Sequence, residues 1–113
     1  MHELAITQSV LNISLEQAKT VKATRISQIN LVIGEMSSIV GDCVQFYFDF
    51  FSKDTIAEGA VLSFQRVPTR MRCRNCDTVF QLSESGWTCP HCNQWVAEIL
   101  SGQELYVDSI EVS

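Results

Sequence analysis

Apolar residues from Leu4 to Ala18 recur at helical spacing. Leu4, Leu11, Leu15 and Ala18 form the stripe, Ile6, Val10 and Ile13 widen it, and Gln8, Asn12, Glu16 and Lys19 fall mostly opposite. This pattern predicts an amphipathic helix over about residues 4–20. The next run, Ser27 to Ile33, alternates instead, with Ile29, Leu31 and Ile33 on one side, which predicts a half-buried strand that Gly34 closes. Helical spacing returns from about Val40 to Lys53, where Val44, Phe48 and Phe51 share one face and Phe46 and Phe50 a neighbouring one. So broad an apolar face is expected to pack mainly into the core, and Cys43 within it is expected to be a small buried hydrophobe. Ala60 to Val67 reads as a second strand with Leu62 and Phe64 inward, stopped by Pro68. In the last strand, Glu104 to Val112, Leu105 and Val107 share a parity that Ile110 and Val112 reverse. A bulge or bend is expected near Asp108 and Ser109.

Between the last two strands the character changes. Met71 to about Val96 is poor in aliphatic residues and rich in Cys, Arg, Asn and Ser. A piece this small cannot bury a core of its own, and a metal is the usual substitute. The expected fold is α+β: two helices packed on a small mixed β-sheet, with an inserted zinc-ribbon-like subdomain. The α/β domain takes residues 1–69 plus 97–113, and the insert 70–96.

Composition narrows the function. The 113 residues carry 8 basic and 13 acidic side chains, a net charge of −5, which argues against a general binder of nucleic acid or acidic membrane. The most apolar stretch, VQFYFDFF, is far below the ~20 residues needed to cross a bilayer. The start of the chain has no signal-peptide pattern, so a cytoplasmic location is expected.

In that reducing compartment paired CxxC motifs read as a metal site. Cys73, Cys76, Cys89 and Cys92 form C-x2-C-x12-C-x2-C. Each pair makes a tight knuckle, and a hairpin of Thr78 to Leu82, a turn at Ser83 to Gly86 and a return strand at Trp87-Thr88 is expected to join them. Asp77 and Asn93 follow the knuckles, where a left-handed backbone is expected. Four thiolates close a tetrahedron, so the site is structural; zinc is favoured, with iron open on spacing alone. Arg70, Arg72 and Arg74 beside the first knuckle are read as solvated charge that offsets a dianionic site.

The first residues, Met1-His2-Glu3, offer a second metal chemistry. A free amine, the His2 amide nitrogen and its imidazole Nδ1 can chelate one ion through fused five- and six-membered rings. The Glu3 amide or an outside ligand can supply a fourth nitrogen, and such a plane favours Ni(II) or Cu(II). Met1 is expected to be retained, since the large His2 disfavours removal of the initiator. Glu3 has a plainer reading as a first-turn carboxylate favoured by the helix dipole.

MHEL with its amphipathic helix, then LVIGEMSSIVGDCVQFYFDF, GAVLSFQRVPTRMRCRNC and CPHC, in that order, resembles the HypA/HybF family of hydrogenase nickel-insertion proteins. The resemblance spans nearly the whole chain. It implies nickel ligands at Met1, His2 and Glu3 and structural zinc on Cys73, Cys76, Cys89 and Cys92. It further implies a non-enzymatic metallochaperone that carries Ni(II) to the large-subunit precursor of a [NiFe] hydrogenase, alongside a HypB-type GTPase. A homodimer is among the assemblies left open. Asp77 departs from the Gly that many relatives carry there.

The competing readings are a zinc-ribbon adaptor that binds a protein or nucleic acid without nickel, and a dithiol oxidoreductase. His91 is expected to point to solvent, and Glu35, Asp42 and Asp49 are read as solvated carboxylates. No Ser-His-Asp, Walker or GxGxxG pattern is present.

Overall fold

The structure, a computed structural model, describes residues 3–37, 39 and 41–113. In chain order it contains α1 (Glu3–Thr20), β1 (Ile26–Gly34), α2 (Gly41–Phe51), β2 (Val61–Val67), β3 (Arg70–Cys73), β4 (Val79–Gln81), α3 (Leu82–Ser85), β5 (Ala97–Ser101) and β6 (Leu105–Val112). The strands make two three-stranded sheets, ordered β2-β1-β6 and β4-β3-β5. The fold is thus α+β. Contacts divide it into two units, one of Met1–Val32, Ile39–Gln65 and Tyr106–Ser113, the other of Ile33–Ser38 and Arg66–Leu105.

In the first unit α1 packs against α2. Helix α1 buries Ile6, Val10, Leu11 and Ala18, so the inward face is centred on the residues expected only to widen the stripe. Leu4 and Ile13, expected on the apolar side, are exposed, and Leu15 is half-buried. It ends in a paired turn: the Ala23 N–H donates to the Ala18 carbonyl over 2.9 Å and the Lys22 N–H to Lys19 over 3.1 Å. Lys22 holds the left-handed position at φ 56, a place where Gly is usual. Helix α2 buries Val44 and Phe48, one turn apart, and burying a ring such as Phe48 contributes about 3 kcal/mol. Gln45 ties α2 to the next strand. Its amide oxygen accepts the Leu62 N–H over 2.8 Å, while its nitrogen reaches Asp49 over 2.7 Å.

Two expectations for α2 are corrected. Phe46 is 72% exposed and Phe50 65%, and Cys43 is exposed rather than buried. Helical geometry explains it: with Val44 and Phe48 inward, residues 43, 46 and 50 cannot share that direction. The rest of the unit follows the pattern in part. Leu62 of β2 is buried and Phe64 half-buried, as expected, and Ile29 and Leu31 of β1 are buried. So, however, are Ile26 and Val32 of the other parity, and β1 is covered on both faces rather than half-buried. In β6, half-buried positions run Leu105, Val107 and then Ile110, with Asp108 and Ser109 both exposed, so burial changes parity where the sequence does.

The second unit is built round β3. Met71 lies between Phe80 of β4 and Ile99 of β5, and both neighbours run antiparallel to it. The return strand expected at Trp87-Thr88 is absent; that stretch is turn and bend. Its place beside β3 is taken by β5, which lies outside the expected span 70–96. Ser83 to Gly86, expected as a turn, falls largely in the single helical turn α3, which Gly86 closes at φ 63.

At the root of this unit the main chain is tightly apposed. The Glu35 N–H donates to the Val67 carbonyl and the Met36 N–H to Gly102, each over 2.8 Å. The Thr69 N–H donates to the Glu35 carboxylate over 2.7 Å. A methyl group added at Gly34 would lie 2.0 Å from the Gly102 carbonyl oxygen, so a side chain is excluded there.

Candidate metal centre

The two knuckles repeat one backbone design. After Cys73 the chain turns so that the Asp77 N–H donates to the Cys73 carbonyl over 2.8 Å, and the Cys73 N–H donates to Thr78 over 2.9 Å. After Cys89 the same pair recurs: Asn93 to Cys89 over 2.9 Å, and Cys89 to Gln94 over 3.0 Å. Asp77 and Asn93 both stand in the left-handed region, at φ 61 and 62, as expected from their place in the motif. Their short polar side chains tolerate that conformation best after Gly.

These turns bring four sulfurs together. Cys73 Sγ lies 3.5 Å from Cys92 Sγ and Cys76 Sγ 3.6 Å from Cys89 Sγ, and all four lie within 4.8 Å of one another. With Zn–S near ~2.3 Å, a tetrahedral site needs sulfur separations of about 3.8 Å, so the spacing fits. A disulfide would need ~2.05 Å. Cys73 and Cys89 are buried with Met71 and Phe80, while Cys76 and Cys92 are half-buried, with Leu82 and Ala97 against the cluster. Among the described residues this apolar group is small, so bound metal would supply much of the folding energy around it.

The thiols are unequal before metal binds. Burial pushes Cys73 up from 9.0 to about 11. A hydrogen bond from the Asn75 side chain, with one from the Gln94 backbone, pulls Cys92 down to about 6. Burial pushes Cys89 up, but the Cys92 and His91 N–H groups outweigh it and leave it below its ordinary value. A metal ion would complete the ionisation.

The neighbouring charge is more organised than the sequence suggests. Arg72 donates to the Glu98 carboxylate, its cross-strand partner, and Arg74 stands 3.9 Å from the same group. Reading along the chain misses this, because the partners are 26 residues apart and Glu98 lies on the strand that was not expected. His91 is exposed.

For the N-terminal chemistry, Met1 and His2 lie outside the described residues. Glu3 opens α1. Beside it is a hollow of about 410 Å³ lined by Glu3, Leu4, Ala5, Gln8 and Tyr47. Among the carboxylates read as solvated, Asp42 is exposed and Asp49 accepts from Gln45, whereas Glu35 is engaged by Thr69. Among the described residues no helix is long and apolar enough to cross a membrane.

Comparison with known proteins follows this geometry. Residues 1–112 match the family model described as hydrogenase/urease nickel incorporation, metallochaperone, HypA. The chain is 46% identical over 112 residues to the hydrogenase maturation factor HypA of Dehalococcoides mccartyi strain 195, covering 99% of this chain and 94% of that one. It is 39% identical to the protein of the same name from Caldanaerobacter subterraneus, covering 99% of each. Among solved structures it resembles the Ni metallochaperone HypA from Helicobacter pylori, with a TM-score of 0.69, 25% identity and coverage of 99% and 97%.

Proposed function

Because the chain belongs to the HypA family of nickel-incorporation metallochaperones, we propose that it binds Ni(II) through Met1, His2 and Glu3. It then delivers the ion to the large-subunit precursor of a [NiFe] hydrogenase in the cytoplasm, working with a HypB-type GTPase. Cys73, Cys76, Cys89 and Cys92 hold structural zinc. The observation that carries this reading is the family match over residues 1–112, which takes in both metal motifs together.

The chemistry of each site supports the division of labour. A closed sulfur tetrahedron offers no open position, so it is suited to fastening a small unit and unsuited to release. The N-terminal amine, amide and imidazole instead present a nitrogen plane suited to a d⁸ ion. Glu3 opens α1, where a first-turn N–H has no partner within the helix, so its nitrogen can give up its proton to water and take the metal. The positive end of the helix dipole opposes a cation there by about 0.3–1 kcal/mol, which the Glu3 carboxylate partly offsets. A grip of that kind is loose enough to hand the ion on. Catalysis has no part in it.

The test is calorimetric titration of untagged, zinc-loaded protein with Ni²⁺, alongside its absorption spectrum. One nickel per chain is expected, with a planar nitrogen signature, and both disappear in His2→Ala or after an N-terminal extension. Nickel affinity indifferent to both changes would favour the zinc-ribbon adaptor instead.

A further inference from the structure

The four sulfurs are not wrapped alike. Cys73 and Cys89 are buried, and main-chain N–H groups serve them: those of Asn75 and Cys76 donate to Cys73, those of His91 and Cys92 to Cys89. Cys76 and Cys92 are half-buried, and side chains reach them. Thr78 Oγ1 stands 3.2 Å from Cys76 Sγ, and the Asn75 side chain donates to Cys92 in the opposite knuckle. Both side chains belong to the first knuckle. In the second, which has the same main-chain turn, the matching places hold His91 and Gln94, both exposed.

Resting on the reading of this cluster as a zinc site, we propose that Thr78 and Asn75 are positioning residues for the metal. They fix the two half-buried thiolates and blunt their reactivity. A metal-bound thiolate carries no proton, so its sulfur can only accept a hydrogen bond. The Thr78 hydroxyl rotates freely and then donates, while the Asn75 amide is a donor already. Hydrogen bonds to an ionised acceptor are the strong kind. They draw electron density off the sulfur, and four thiolates on a divalent ion leave a charge of about −2 to be spread. The effect matters most at Cys76 and Cys92, because a half-buried sulfur is open to electrophiles and a buried one is closed to them. Asn75 does a second job by reaching from one knuckle to a sulfur of the other, which fastens the pair.

The experiment uses the full chain with Cys43→Ser, which removes the exposed thiol. Three quantities are read: zinc affinity against a chromogenic chelator, the absorption of the Co²⁺-loaded chain, and alkylation of the zinc-loaded chain by iodoacetamide, located by mass spectrometry. Thr78→Val keeps the branched shape without the hydroxyl, and Thr78→Ser restores it. Asn75 is exposed, so Asn75→Ala disturbs no core. Thr78→Val and Asn75→Ala are each expected to lower zinc affinity about 10–100-fold. In both, the sulfur-to-cobalt charge-transfer band should move to longer wavelength. Alkylation should quicken at Cys76 in the first variant and at Cys92 in the second, and Thr78→Ser should return all three readings to those of the parent. Unmoved bands and unchanged alkylation in both variants overturn the role, even where affinity drops, and leave the zinc reading intact. Failure of the parent chain to take up Zn²⁺ or Co²⁺ removes both.

Discussion

The sulfur of Cys73 sits 3.5 Å from that of Cys92, the last ligand of the opposite knuckle. Cys76 and Cys89 repeat the arrangement at 3.6 Å, so close sulfur contacts run between the knuckles. Each knuckle therefore depends on the other to complete the site.

Cys76→Ala is accordingly expected to unfold the second unit and spare the first. Helices α1 and α2 both lie in the first unit, and the second contains only the four-residue α3. Far-ultraviolet circular dichroism should retain most of its helical signal, while amide exchange protection is lost across β3, β4 and β5. Chelation of the metal, which leaves all four thiols in place, should weaken protection over the same strands without abolishing it. Global loss of helix would contradict it.

The unequal thiols predict how many protons metal uptake releases. At neutral pH Cys73, at about 11, holds its proton, whereas Cys92, at about 6, has largely lost it. Calorimetry in buffers of different ionisation enthalpy at pH 7.5 should therefore count fewer than one proton per cysteine, with Cys92→Ala changing the count least. Stability of the metal-free unit has two limits. The depressed Cys92 contributes stability present above 9.0 and lost as pH falls through about 6. The raised Cys73 contributes stability present below 9.0 and lost as pH rises through about 11. Denaturation of metal-free protein across that range should show the best protection near pH 9.

Gly102 is expected to resist every substitution. Its φ is 113, and a methyl group there would lie 2.4 Å from Thr69 Oγ1 and 2.8 Å from Thr69 Cα. Gly102→Ala should cost about 3 kcal/mol or more, measured by chemical unfolding of the zinc-loaded chain. Glu35→Ala, which removes only the acceptor of the Thr69 N–H, should cost about 1–2 kcal/mol.

The two kinds of aromatic on α2 should separate cleanly. Phe48→Ala removes a fully buried ring and is expected to cost about 3–5 kcal/mol. Phe46→Ser and Phe50→Ser remove exposed rings and should stay within about 0.5 kcal/mol in thermal or denaturant unfolding.

Local features were the legible ones. The extents of α1 and β1 and the left-handed residues after each knuckle follow from spacing and residue type within a few positions. The buried faces of α1 and β1 do not, since Leu4 and Ile13 are exposed and β1 is covered on both sides. The sulfur cluster was legible because two CxxC pairs leave few other ways to satisfy four thiols. Strand β5 was not, because Ala97–Ser101 acquires its role only by pairing with Arg70–Cys73. Its tie through Glu98 was hidden for the same reason. The exposure of Cys43 could not be read from α2 alone, since apolar residues there surround most of the helix.

Cys43 leaves one thiol at the surface of α2, whereas a metal on the sulfur cluster would occupy the other four. In aerated buffer two such chains can be oxidised into a covalent pair, so a dimer band that vanishes with reductant or in Cys43→Ser reports storage history rather than assembly. The same thiol is a ready anchor for a single fluorophore, placed on the helix that carries Tyr47.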